Sequence, residues 1–248
     1  MGSQGESEIS KRLDMVELVP WDPRNEEHYQ RLYEQRVACT WDAELVEEWK
    51  TKVLEGRKFL YWIKLRDDLP QRETVLAPHL DKCPKERDPL VDTATAIANT
   101  PRTPTNMSFL PIGHVALELY PQRNTNFSLD PSTIWVKSLY ISWALQTGGV
   151  GHAAMAQIER LAASPPLNAA ALALDTVTKE FQLHEENLKV WFEVTGIKRP
   201  DVVRSNEEWY VRQGYKVMGD IDLGTTWTHP AAGETASIPS IYLKKDIV

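Results

Sequence analysis

Residues 133–143 read TIWVKSLYISW, and the apolar positions change parity partway: Ile134 and Val136 are even, whereas Leu139, Ile141 and Trp143 are odd. Strand side chains alternate with a period of two, so both halves can face one core only if an extra residue enters near Lys137 and Ser138. Such a β-bulge bends the strand away from its neighbour. The alternative is that Trp135 points inward and no bulge exists. The strand runs almost at once into Gln146-Thr147-Gly148-Gly149-Val150-Gly151, and Val150, Ala154, Ile158 and Leu161 then form a helical stripe that Ser164, Pro165 and Pro166 stop.

Around this unit the pattern predicts a strand at 15–19, and a helix capped by Asn25 with Tyr29, Leu32, Tyr33, Arg36 and Val37 on one face. A second helix over 41–55 carries Trp41, Leu45, Trp49 and Val53, and Gly56 ends it. A strand follows at 59–65. Six prolines and no sustained period mark 66–110 as an inserted surface loop, either a lid over a binding site or a mobile excursion. Residues 112–120 read as a half-buried strand with Val115, Leu117 and Leu119 inward and His114, Glu118 and Tyr120 outward, and 169–175 as a strand covered on both faces. Phe181, His184, Leu188, Trp191 and Thr195 mark a helix over 179–195. Ser205 and Glu208 form a capping box for a short helix closed by Gly214. Tyr215, Val217, Ile221 and Leu223 then alternate as a strand, and a last strand lies near 241–244. The expected organisation is a frayed segment at 1–14 and a single domain over 15–248 that carries the 66–110 insertion.

With 248 residues, 42% of them hydrophobic and 25% charged, the chain can bury a core without staples, and collagen-like or disordered readings are excluded. The net charge of −7 argues against a phosphate-neutralising surface, so nucleic acid is not an expected partner. Cys39 and Cys83 stand in no metal-ligand spacing, so neither a disulfide framework nor a structural metal is expected. No run approaches the ~18 apolar residues of a membrane span, and the N-terminus lacks a secretory pattern. The expected location is cytoplasmic, with the nucleus as a second possibility, and no membrane partner is expected.

The glycine turn carries the chemistry. Glycines permit the positive φ angles that aim successive N–H groups at one point, and the helix N-terminus adds partial positive charge, which together make an anion cradle. Gly149-x-Gly151-x-x-Ala154 also fits a dinucleotide fingerprint, with Asp175 falling 21 residues after Ala154 where a ribose-binding acid belongs. Against an NAD(P) oxidoreductase, the preceding strand alternates rather than being buried, and little parallel sheet can be built afterwards.

In the other reading, the turn fits the Arg/Gln-x-x-Gly-x-Gly/Ala pattern that follows a bulged strand in acyl-CoA-binding acyltransferases. Leu139-Tyr140-Ile141 matches the strand segment before it, and Trp209-Tyr210-Val211-Arg212-Gln213-Gly214-Tyr215 matches an aromatic-x-x-x-Gly-aromatic signature. On these three motifs, in this order, the chain resembles the GNAT acyltransferase superfamily over about 16–245. The resemblance implies a mixed α/β (α+β) fold: a mostly antiparallel twisted sheet with a splayed, bulged central strand pair and flanking helices. It implies acetyl-CoA as cosubstrate, no metal, and direct acyl transfer in a ternary complex to a primary amine, small-molecule or peptidyl.

The expected CoA contacts are Leu139, Tyr140 and Ile141 against the pantetheine arm, and Gln146, Thr147, Gly148, Gly149, Val150, Gly151 and His152 around the diphosphate. The asparagine that the family often carries seven residues before the helix tyrosine is Val203 here, and Asn206 is the nearest side-chain amide. A backbone N–H near Ile141 would stabilise the oxyanion. By its place before Gly214 in the family signature, Tyr210 is the acid that the resemblance implies, and thiol and phenol are nearly matched in pKa. An alkylamine at ~10.4 needs a base or a water chain to take its proton, and Glu118, Asp175 and His114 are the candidates. A catalytically idle acyl-CoA-binding module is the alternative from a different functional class.

Overall fold

The computed structural model describes residues 14–219, 226–228 and 233–248. One seven-stranded sheet organises them: β1 (Val16–Pro20), β2 (Lys58–Leu65), β3 (Gly113–Glu118), β4 (Ile134–Ile141), β5 (Ala171–Val177), β6 (Lys216–Gly219) and β7 (Ser240–Asp246). In space the order is β1-β2-β3-β4-β5-β7-β6, and every neighbouring pair is antiparallel except β4 with β5. A dinucleotide fold needs a series of parallel β-α-β units. This sheet has a single parallel pair, so the nicotinamide alternative is set aside.

Helices flank the sheet, among them α1 (Glu26–Cys39), α2 (Val46–Leu54), α3 (Arg72–Lys82), α4 (Val150–Ala163), α5 (Glu185–Thr195) and α6 (Asn206–Val211). Alternation along the strands feeds separate cores. Phe59, Tyr61, Ile63, Val115, Leu117, Ile134, Val136 and Ile141 meet Val150, Ala154 and Ile158 of α4. Leu60, Trp62 and Ala116 join Leu32 of α1 with Val46 and Trp49 of α2. Beyond them, Trp135 packs with Ala173 and Tyr242.

The expected bulge is present. His114 opposes Tyr140 and Ala116 opposes Lys137, so two residues of β4, Ser138 and Leu139, face Val115 alone. Ser138 takes a left-handed φ of +55°, which absorbs the extra residue and keeps Ile134, Val136, Leu139 and Ile141 on one core. Trp135 is buried too, but on the opposite face.

Several sequence expectations are corrected. The 66–110 insertion is a packed subdomain: α3, a short helical turn and two small hairpins, with Leu76, His79, Leu90 and Phe109 buried. Asp92 ties it together, accepting two bonds from Arg102 (2.6 and 2.8 Å) and two from Thr105. In α1 the buried face is His28, Arg31, Leu32, Gln35, Arg36 and Cys39, while Tyr33 and Val37 are exposed. The reason is polar pairing: His28 is bonded by Trp62 and to Val91, and Gln35 to Glu86 and His114. Strand β3 is buried on both faces because α1 and α2 cover the side that carries His114 and Glu118. The helix expected over 179–195 breaks at Leu183 and His184 into Lys179–Gln182 and α5. Residues 1–13, and Ile221 and Leu223 of the strand expected after Tyr215, lie outside the described residues.

Candidate functional site

Strands β4 and β5 pair at only three positions, Ile134 with Leu172, Trp135 with Ala173 and Val136 with Leu174. Past the bulge they separate. Lys137 stands where the split begins, and its ammonium spans to Asp175 at 2.8 Å. At the open end the Tyr140 carbonyl lies 2.1 Å from where a Cβ of Gly113 would be, so that carbonyl points at β3. In a trans peptide plane the following N–H points the other way. Ile141 therefore aims its amide into the gap between the parted strands.

The chain then turns through Trp143–Leu145 and Gln146-Thr147-Gly148-Gly149 into α4. Thr147 (φ +72°) and Gly149 (φ +85°) are both left-handed. For a β-branched residue that is a strained conformation, of the kind folds retain at binding loops. Alternating backbone signs of this sort curl N–H groups around a common point. No side chain caps α4, and Ala153 is the first of its amides with an internal bond, to the Gly149 carbonyl (3.0 Å). Among the described residues, the N–H groups of Gly149, Val150, Gly151 and His152 have no protein acceptor. Gln146, Thr147, Gly148, Gly149 and His152 are exposed, so those donors face an open mouth at the positive end of a 14-residue helix. Val150 is buried and anchors the turn in the core.

Helix α6 closes the far side. Its capping box is formed as expected, Ser205 Oγ accepting from Glu208 N–H at 3.1 Å while the Glu208 carboxylate reaches back to the Ser205 N–H. A Cβ on Gly151 would stand 3.2 Å from the Trp209 indole and 3.8 Å from Ile141 Cγ1. Trp209 thus lies against the start of α4 and the end of β4, and Gly151 makes room for an indole. Tyr210 is half-buried beside it, ring centroids 4.8 Å from Trp209 and 5.7 Å from Tyr215. Burial raises the Tyr210 phenol well above its ordinary pKa, and the Asp175 charge adds to the rise. Asn206 opens the helix, exposed, with its backbone N–H on the Gln182 side chain.

The three base candidates sit differently. Glu118 is opposite Trp135, five residues along β3 from Gly113 and therefore about 16 Å from the open end at ~3.3 Å per residue. Lys52 (2.9 Å) and Lys58 (2.8 Å) bracket it; despite a burial penalty they hold its carboxyl down at about 2. Asp175 lies at the split, but Lys137 and Arg123 (3.1 Å) both pair with it. Burial works against ionisation there, yet the two cations prevail and its pKa is lowered. A base must take up the incoming proton; with cations this close, protonating either carboxylate is disfavoured. His114 is fully buried opposite Tyr140, its Nδ1 2.9 Å from Gln35 Oε1, and burial holds it neutral.

Of the expected CoA contacts, Ile141 and Gly151 meet near Trp209 at the head of α4, with the rest of the glycine turn just before it; Tyr210, the expected acid, lies beside that indole. Leu139 is half-buried on the α4 core, whereas Tyr140 faces His114 and Trp143. Sequence reasoning named Thr147 but not its left-handed backbone, and quoted Trp209 in the aromatic signature without foreseeing that its indole packs on Gly151. Half-buried Trp143 and Trp191 meet edge to face (5.5 Å) beyond β4, and Trp143 Nε1 donates to the Ala38 carbonyl at the end of α1. Among the described residues no cluster of His, Cys, Asp or Glu is placed to hold a metal ion, and no helix is long and apolar enough to cross a membrane.

No protein-family model matches the sequence, and no curated protein matches it. Solved structures do. A probable acetyltransferase of the GNAT family from Chromobacterium violaceum superposes with a TM-score of 0.50 at 10% identity, covering 94% of this chain and 83% of that one. An aminoglycoside 6′-N-acetyltransferase complexed with coenzyme A (TM-score 0.49, 12% identity, 94% and 97% covered) and Arabidopsis thaliana NAA60 in complex with acetyl-CoA (0.49, 11%, 94% and 98%) are also similar. The fold is thus the one found in GNAT acetyltransferases, as the sequence resemblance implied.

Proposed function

We propose that this chain is an acetyl-CoA-dependent N-acyltransferase that moves an acetyl group to a primary amine by direct attack within a ternary complex. The observation that carries the reading is the meeting of two features: four amides without protein acceptors at the head of α4, and a gap between β4 and β5 that opens beside them. Diphosphate suits the first, being anionic and rich in acceptors. The second suits a pantetheine arm, which can pair with strand edges that have no other partner.

In this reading the thioester carbonyl lies near Ile141, whose amide is fixed in advance toward the gap and stabilises the oxyanion as the amine attacks. Collapse expels CoA thiolate, and Tyr210 supplies its proton and regains one from the water that takes the amine's. Its raised pKa keeps the phenol protonated at neutral pH. A thiolate leaving into the same enclosed space is made more basic by the same desolvation, so transfer stays close to balanced. Because Glu118 and Asp175 are neutralised by lysine and arginine, the amine's proton leaves through water at the open mouth. Asp175 instead keeps Lys137 at the split and biases Tyr210 toward its protonated form.

A thiol-release assay with acetyl-CoA over alkylamines, arylalkylamines, aminosugars and peptide N-termini tests this. Release that depends on one amine class supports it. Tight acetyl-CoA binding with no release from any class would make the chain an acyl-CoA-binding module, and no binding at all would refute the reading.

A further inference from the structure

The insertion does more than cover the sheet. Helix α3 packs against Trp143–Leu145, the segment that joins the bulged strand to the glycine turn. From that helix His79 reaches Ser142, its Nδ1 2.9 Å from the serine Oγ. Both residues are buried, at 0% and 1% exposure. Ser142 is where β4 ends: its N–H donates to the Ile112 carbonyl (2.9 Å) and its own carbonyl accepts from Leu145 (2.8 Å). Among the described residues, the bond to His79 is the one hydrogen bond that the Ser142 hydroxyl makes.

The other side of the imidazole makes the arrangement informative. His79 Nε2 is buried with no hydrogen-bond partner, the nearest carboxylate oxygen, Glu86 Oε2, being 3.7 Å away. That oxygen already accepts from Gln35 Nε2 at 2.7 Å. A buried polar ring with one nitrogen unsatisfied is a poor way to fill a core. It is retained here with a single hydrogen bond, and that bond lands one residue beyond Ile141 and four before Gln146.

Resting on the function proposed above, we infer that His79 is a positioning residue for acyl-CoA binding: its bond to Ser142 fixes the corner between the bulged strand and the glycine turn, and so the aim of the amides from Gly149 to His152. The 66–110 insertion is then part of the cofactor site without touching cofactor.

The test is calorimetric binding of acetyl-CoA to the full chain and to three variants. His79→Ala is expected to weaken binding about ten-fold, the worth of one neutral hydrogen bond. His79→Asn, whose side-chain amide offers both an N–H and a carbonyl oxygen to the Ser142 hydroxyl, is expected to recover most of it. Leu76→Ala removes apolar packing from the same helix and is expected to lower Tm at least as much as His79→Ala while leaving affinity within two-fold. Equal weakening by His79→Ala and Leu76→Ala, or none by His79→Ala, would overturn the inference. Should the wild-type chain bind no acetyl-CoA, the function proposed above falls, and hydrogen exchange of the bonded amides of Ser142, Leu145 and Ala153 in the ligand-free chain decides this point separately. His79→Ala must then speed their exchange and Leu76→Ala must not; equal rates in the two variants would refute it.

Discussion

The two ends of β4 belong to one strand and do opposite work. From Ile134 to Val136 it has a hydrogen-bonded neighbour on each side, and all three residues are buried. From Leu139 to Ile141 only β3 remains beside it, and the other edge faces the gap. The bulge at Ser138 separates the two regimes. Stability is built where the ladder is complete, and the function proposed here places binding where it is interrupted. An open edge exposes amides that a ligand can use, and the molecule then needs other devices, namely the Lys137–Asp175 pair, Trp209 and the insertion, to stop that edge from collapsing.

Substitutions at the two ends should therefore separate stability from activity. At the closed end Trp135 is fully buried with Nε1 on Asn124 Oδ1 (2.8 Å). Trp135→Ala is expected to cost about 3–5 kcal/mol in denaturant unfolding, with acetyl-CoA affinity of the folded fraction unchanged; a large loss of affinity would break the division. At the open end Tyr210→Phe should lower kcat about 10²-fold, with little change in Tm or in the KM for acetyl-CoA. Unchanged turnover would remove Tyr210 as the acid.

Acid sharpens the contrast by acting on the corner that supports the open end. Burial first and Arg31 second lower the His79 pKa from 6.5 to about 4. Between those values the unfolded chain binds a proton that the folded chain does not, so stability falls as pH falls through that window. At pH 5 this one group should cost about 2 kcal/mol relative to pH 7. His28 and His114, also lowered chiefly by burial, act in the same direction. Unfolding free energies at the two pH values check this, and His79→Asn should show a shallower loss. The smallest effect is expected at Thr147, where Thr147→Gly relieves the left-handed strain and should gain up to about 1 kcal/mol; a loss would mean that the threonine side chain holds the turn.

Where local chemistry decided the structure, it could be read in advance. The parity change gave Ser138, the Ser205–Glu208 spacing gave the capping box, and the glycines gave the turn, because each depends on residues within a few positions. What depended on distant partners could not be read. Helix α3 contains Pro78, which argues against a helix, and forms because Leu76 and His79 are buried against the sheet. The inward face of α1 looks polar in sequence, since Gln35 and His28 acquire their partners from β3, β2 and the insertion. Glu118 resembles a base until Lys52 and Lys58 arrive from another helix and strand. Tyr210 was legible only through its motif, and Trp209 beside it became a site residue only once Gly151 stood against its ring.

The most direct measurement is an amide NMR titration of the chain with acetyl-CoA, following Gly149, Val150, Gly151, His152 and Ile141. Shifts that saturate together, largest at the first four, are predicted. Saturable binding that leaves those five resonances in place while others move would contradict the account.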